Sequence, residues 1–463
     1  MPNKILIASA ATVVLIAGCV TPSNETVERK VDEAAADQVP DTPSAWSMAA
    51  ESGAVQTGWI NSFNDADLTA LVIEAQSNNR SLAAAAANVE RAQALARQAG
   101  AALVPEIGLT GGGARGGVAS TSQTNASNYS LGTQVSWELD LWGRVRSGNR
   151  AAAASAQAAQ ADLTAAQQSL AAGVAKAYFT TIEAQVQTRI LQESVGILEE
   201  TQRIVGVKKD NGLATAQDVA LTNSDLASAR ERLVTIEGST RDAKRALEAL
   251  LGRYPAAELE VKSSLPSPPP PPPTGVPSEL LERRPDLVSA ERQVAAAFNS
   301  TNQTRAAQLP SISLTGNVGG ASGSLTNLLD PANVAWSAGA NLLGPIFDGG
   351  RRAEAVNAAN AEQQAALAAF GDAAINAFSE VETSLDQGVV LSERVKELEE
   401  AANEAAEGLR IARLRYDEGE EELLNVLNIQ QRVINAQSSL SSVNRLLLEQ
   451  RINLNLALGG GWE

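Results

Sequence analysis

Glu138 and Asp140 stand two residues apart on one side of an alternating stretch, and a carboxylate pair so placed is the raw material of acid–base hydrolysis. The same spacing arises on any strand that turns one polar face to water, and the residues around it favour that second reading. Little else in the chain offers chemistry. It has no His and a single Cys, which argues against zinc, haem and copper centres and leaves no Ser-His-Asp or Cys-His nucleophile. No Gly-rich phosphate loop ends in Lys-Ser or Lys-Thr. The chain therefore reads as a non-enzyme with no metal site. Its formal charge, 36 − 53 = −17, argues against nucleic acid as a partner.

The alternation around Glu138 defines a strand. Tyr129, Leu131, Val135, Trp137, Leu139 and Leu141 fall on one side, and Ser130, Gly132, Gln134, Ser136, Glu138 and Asp140 on the other. A weaker copy sets Trp336, Ala338, Ala340 and Leu342 against Ser337, Gly339 and Asn341. Four strands are expected, at about 104–112, 128–142, 310–319 and 334–347, with the Gly-, Ser-, Thr- and Asn-rich stretches 111–127 and 319–333 as loops. A membrane-spanning strand needs about 9–11 residues, and Tyr129, Trp137 and Trp336 suit the lipid boundary. A soluble sheet with one buried face fits the same alternation.

The strands recur because the chain repeats itself. Val104-Pro105-Glu106-Ile107-Gly108-Leu109-Thr110-Gly111 matches Leu309-Pro310-Ser311-Ile312-Ser313-Leu314-Thr315-Gly316, and Lys209-Asp210-Asn211-Gly212 matches Tyr416-Asp417-Glu418-Gly419, at offsets of about 205–207 residues. A first repeat spans 59–262, a stiff Pro-rich linker 263–276, and a second repeat 277–463. Each repeat reads helix, strand, strand, long helix, turn, helix. The long helices, about 144–207 and 351–415, lack Pro and are rich in Ala, Gln, Leu and Glu. At about 1.5 Å per residue each reaches roughly 95–100 Å. Shorter helices are expected at about 65–102, 216–251, 285–308 and 423–458. Val426, Val433, Leu440, Leu447 and Leu454 recur every seven residues, a coiled-coil seam. With 3% aromatic residues, the composition suits long, thin helical packing.

The first segment is an address. Lys4, an apolar run and Ala17-Gly18-Cys19 read as a signal peptide over 1–18. Ile16-Ala17-Gly18-Cys19 resembles a bacterial lipobox, which implies a covalent lipid on Cys19 and no other cofactor. Val20 rather than Asp follows it, which favours the outer membrane. Residues 19–58, polar and acidic, read as a flexible lipid-anchored tether.

Four strands cannot close a membrane barrel, since the smaller barrels have about eight, and open strand edges are not tolerated in lipid. Membrane-spanning strands would thus have to be pooled by several copies, whose number this argument leaves open. Ser136-Trp137-Glu138-Leu139-Asp140-Leu141-Trp142-Gly143-Arg144, Pro277-Ser278-Glu279-Leu280-Leu281-Glu282-Arg283-Arg284-Pro285-Asp286-Leu287 and Ala457-Leu458-Gly459-Gly460-Gly461-Trp462 resemble the signatures of outer-membrane efflux proteins of the TolC/OprM type, and Cys19 suits their lipidated, NodT-like subgroup. The resemblance implies a mainly α fold with a small transmembrane β part, built from two repeats of long helical hairpins. It implies a homotrimer with a twelve-stranded barrel in the outer membrane and a periplasmic α-helical barrel. It also implies a passive exit duct for small molecules such as drugs, docked to a periplasmic adaptor and an inner-membrane pump of the RND type. ATP-driven protein secretion is the alternative within this class; a single-hairpin adaptor lipoprotein and a lipid-anchored hydrolase are the alternatives outside it.

By the same resemblance the turns at 208–218 and 416–425 form the periplasmic tip, with Gly212, Leu213, Gly419 and Glu420 facing the adaptor. Asn425 and Asn428 occupy positions that are acidic in many members, Asp218 keeps its acid in the first repeat, and Tyr416 matches an aromatic that helps hold the closed state. The basic partner of that aromatic is replaced by Glu421. Asp218, Tyr416, Asn425 and Asn428 are thus the expected gate.

Overall fold

The computed structural model describes residues 24–48, 53–55, 57–116 and 126–462. The expected signal peptide and Cys19 lie outside the described residues. The helices among them are α1 (Asn24–Ala36), α2 (Ala66–Asn78), α3 (Arg80–Ala101), α4 (Arg144–Asp210), α5 (Ala216–Leu250), α6 (Leu280–Arg283), α7 (Pro285–Ala306), α8 (Arg351–Glu418) and α9 (Leu423–Ala457). The strands are β1 (Glu106–Gly116), β2 (Ala126–Leu139), β3 (Ser311–Ser322) and β4 (Val334–Leu343). No helix among the described residues is long and apolar enough to cross a membrane.

The described residues form two compact units, and each draws on both repeats: one lies within 24–40, 87–161 and 288–373, the other within 41–86, 162–287 and 374–462. In the first, the strands make an antiparallel meander in the order β1-β2-β3-β4. Its Gly-rich stretches correct the loop expectation. β1 runs on through Gly111–Gly116, with Gly111 paired to Leu131 and Gly113 to Tyr129, and β3 runs through Gly319 and Gly320, paired to Gly132 and Leu131. Main-chain ladder bonds do not need side chains, so composition alone misplaced these ends.

The signature around Trp137 is a strand-to-helix junction. Trp137 Nε1 donates to the Leu103 carbonyl at 3.0 Å, and Trp142 Nε1 to the Pro310 carbonyl at 2.6 Å. Glu138 receives Arg144 through two hydrogen bonds, of 2.9 and 2.6 Å. Asp140 accepts the N–H groups of Val145 and Arg146 at the start of α4, at 2.9 and 2.8 Å, where the helix dipole favours an anion. Both carboxylates of the candidate acid–base pair thus join β2 to α4, a structural role.

A second correction concerns the tether. Residues 24–36 form α1, and its Val27, Val31 and Ala35 are buried against Val294 and Phe370. The i, i+4, i+8 spacing of these apolar residues gives α1 one buried stripe, which the acidic composition hid. The expected helix at 65–102 is also two helices. Asn79 leaves the helical conformation, and its Oδ1 caps α3 by accepting the N–H groups of Ser81 and Leu82.

The second unit is built around Tyr178, Phe179 and Ile182 of α4, packed with Trp59, Ile60, Phe63, Leu68 of α2 and Leu247 of α5. Asp65, 3% exposed, ties this core together. It caps α2 through Asp67 and Leu68 N–H, accepts Tyr178 Oη at 3.1 Å and pairs with Lys262 at 2.8 Å. The signature Arg284 is likewise structural: it pairs with Asp286 at 2.8 Å and Glu380 at 2.6 Å. Nor does the Pro-rich linker run free, for Trp46 Nε1 donates to Thr274 O and Arg451 Nε to Pro269 O.

Burial alone would raise the Asp65 pKa, but Lys262, the Leu68 N–H and Tyr178 outweigh it and hold the carboxyl below its ordinary value. A depressed folded value stabilises above the unfolded pKa of about 3.9 and is lost as pH falls through the folded one. Asp65→Asn should therefore cost about 1–3 kcal/mol at pH 7. Melting curves taken from pH 7 downward should converge with wild type in acid. Parallel curves at every pH would contradict this assignment.

Candidate functional site

The sheet register sorts every strand residue onto one of two faces. Ile107, Leu109, Leu131, Val135, Trp137, Ile312, Leu314, Val318, Trp336 and Leu342 fall on one, in cross-strand rows such as Ile107–Val135–Gly316 and Thr133–Val318–Trp336. The other carries Glu106, Thr110, Gln134, Ser136, Ser313, Thr315, Asn317, Ser337 and Asn341. Among the described residues no helix covers the apolar face: Leu109 and Trp336 are each 78% exposed. A soluble sheet buries that face, so the soluble alternative fails. Tyr129 lies toward the loop end of β2 and Trp137 at its helix end. Among the described residues the outer edges of β1 and β4 have no strand partner.

β2 leads into α4, and α4 ends in the first tip; β4 leads towards α8, and α8 ends in the second. The two tips have the same main-chain construction. Gly212 N–H donates to Lys209 O at 2.9 Å and Leu213 N–H to Lys208 O at 2.7 Å; Gly419 N–H donates to Tyr416 O at 3.2 Å and Glu420 N–H to Arg415 O at 2.9 Å. This is the Schellman arrangement, and it needs a left-handed residue after the helix. Gly212 supplies it at φ +73° and Gly419 at φ +81°. Leu213, 77% exposed, and Glu420 project from the two turns.

The tips differ in how the next helix begins. Thr215 and Asp218 form a reciprocal capping box at the start of α5, with Thr215 N to Asp218 Oδ2 at 2.8 Å and Asp218 N to Thr215 Oγ1 at 3.2 Å. These bonds hold the Asp218 carboxyl below its ordinary pKa. The α9 start, at Glu422, has no side-chain cap. Asn425 and Asn428 are exposed, one turn apart, while Leu423, Val426 and Leu427 face inward. Among the described residues, no hydrogen bond or ion pair joins Asp218 to Tyr416, Asn425 or Asn428.

Tyr416 packs where α4, α5, α8 and α9 meet, against the cluster of Val205, Leu226, Leu423 and Leu427. Its cationic partner is a residue that sequence reasoning missed. Lys208 Nζ of the first tip stands 3.7 Å from the Tyr416 ring centroid, a cation–π contact worth about 0.5–2 kcal/mol. Lys208 therefore acts twice, closing its own turn through its carbonyl and holding the other through its ammonium. The repeat alignment offered the only signal, since it brings Lys209 beside Tyr416 and Lys208 is its neighbour.

The outer membrane efflux protein family profile matches residues 71–253 and 276–460. The pyoverdine export outer membrane protein OpmQ of Pseudomonas aeruginosa is 32% identical over 419 residues, covering 88% of this chain and 87% of that protein. The probable efflux pump outer membrane protein TtgC of Pseudomonas putida is 30% identical over 469 residues, covering 99% and 96%. Among solved structures, the outer-membrane channel OprN superposes with a TM-score of 0.84 at 28% identity, covering 92% of this chain and 99% of that one. The open-state MtrE channel of Neisseria gonorrhoeae gives 0.81 at 28% identity, covering 91% and 96%. Two repeats, a two-faced sheet with open edges and a profile spanning both repeats place this chain in the outer membrane efflux protein family, as an outer-membrane efflux channel.

Proposed function

We propose that three copies form a passive exit duct for small molecules, the last stage of a tripartite pump. The observation that carries this reading is the sheet, exposed on both faces and unpaired at both edges. Three copies of four strands give twelve, enough to close a barrel. The apolar face then meets lipid and the polar face lines water. Tyr129 and Trp137 are eight residues apart, about 27 Å along the strand and about 21 Å across the bilayer at a tilt near 40°. That separation matches an apolar band with an aromatic at each border.

In this reading the tips lie in the periplasm, and Gly212, Leu213, Gly419 and Glu420 meet the adaptor's helical hairpins. The adaptor in turn joins an inner-membrane pump of the RND type, which supplies the energy. Cys19 carries the lipid anchor. Asn425 and Asn428 line the aperture, three copies of each, with Asp218 beside them, and Lys208 on Tyr416 holds the aperture closed. Amide rings retain cations less than carboxylate rings do. Efflux is preferred to protein secretion because TtgC, a relative that covers 99% of this chain, is itself a probable efflux pump outer membrane protein.

Two experiments test this. Leu109→Arg on the apolar face should cost about 2–4 kcal/mol per copy at mid-membrane and deplete the protein from outer membranes. Gln134→Arg on the polar face should leave membrane yield intact and shift the reversal potential in planar bilayers toward anions. Equal losses of yield would refute the two-faced sheet. For the gate, Lys208→Gln and Tyr416→Leu should each raise single-channel open probability roughly 2- to 30-fold, the range given by one cation–π contact. The double variant should do no more than either alone, and additive effects would sink the coupling.

A further inference from the structure

Arg451 is a buried charge without a counter-charge. It lies on α9 and is 7% exposed. Its Nε donates to the Pro269 carbonyl at 3.1 Å and its Nη1 to Gln450 Oε1 at 3.0 Å. Among the described residues no carboxylate lies within ion-pair distance of it, whereas buried Arg284 has two. Burial pushes the Arg451 pKa down, and no neighbouring charge offsets that. A desolvated cation held only by neutral dipoles is costly and favours the arrival of an anion.

Beside this guanidinium lies a cavity of about 390 Å³, bounded by the polyproline strap, α8 and α9. Its size is within the range of small-molecule sites, and its walls are mainly apolar, with Leu385, Val389 and Leu454 facing the prolines. Ser392 and Glu393 stand at its exposed rim. The floor is fixed, because Gln450 Nε2 donates to the Ser384 carbonyl on α8. Gly388 makes the room: a Cβ there would stand 2.9 Å from Gln450 Nε2 and 3.2 Å from Arg451 Nη1.

We propose that this cavity binds a compact monocarboxylate, its carboxylate on Arg451 and its apolar body against Leu385, Val389 and Leu454. Glu393 at the rim repels a second negative charge, which disfavours phosphates and dicarboxylates. The ligand touches the strap on one side and both helices on the other, so it latches the strap, which also carries the Trp46 bond at Thr274. All the residues that line the cavity belong to one chain.

The test is calorimetric titration of the full-length protein in nonionic detergent with cyclohexanecarboxylate. Cyclohexanecarboxamide serves as a neutral control of the same shape, and inorganic phosphate as the multivalent one. Saturable binding of one acid per chain is expected, with the amide and phosphate at least tenfold weaker. Arg451→Met should weaken the acid at least tenfold. Since that variant also releases Pro269, the decision rests on Ser392→Phe, which fills the mouth and leaves Arg451 in place; it should abolish binding. Equal affinity for acid and amide, tight phosphate binding, the absence of saturable heat, or wild-type affinity in Ser392→Phe would each overturn the proposal.

Discussion

An edge strand presents a row of N–H and C=O groups, and lipid offers them nothing to bond to. The rest of this protein's design follows from that constraint. Among the described residues one chain supplies four strands, two unpaired edges and an apolar face that no helix covers. Such a sheet is unfinished alone, because its edges need further strands and its apolar face needs lipid. Once closed, its polar face has only water to meet, and a duct follows from the geometry.

The helices answer a different requirement. Each long helix, α4 or α8, begins just after a strand pair and ends at a tip. The junction at the start of α4 is fixed by the Arg144–Glu138 pair and by Asp140 at the positive end of the helix dipole. The tips are made by main-chain bonds around left-handed glycines, which leaves their exposed side chains free for contacts. Between those ends, the Asp65 network and the Arg284 pairs tie helices of the second unit together. At the tips one cation–π contact, Lys208 on Tyr416, joins the two repeats.

Much of this was legible in the residues. Period-two alternation at 129–141 fixed the faces of β2, and the two Lys/Tyr-x-x-Gly turns marked both tips. The long signatures around Trp137 and Arg284 pointed to the family before any fold was in view. What escaped the sequence was non-local or compositional. Lys208 and Tyr416 are 208 positions apart, and no spacing rule pairs them. The glycine runs of β1 and β3 look like loops because their pairing depends on partner strands. α1 hides a three-residue apolar stripe in an acidic tail. Asp218 also has a role that its place in the repeat did not show: its carboxylate caps α5.

The most direct test of closure by multiple copies is the mass of the native protein in lipid nanodiscs, measured by native mass spectrometry. Three chains of 48.1 kDa would give a particle close to 3 × 48.1 kDa before lipid. A trimer that falls apart on heating is the result this account requires. A stable single chain inserted in the bilayer would contradict it, because its edges would then be satisfied in some other way.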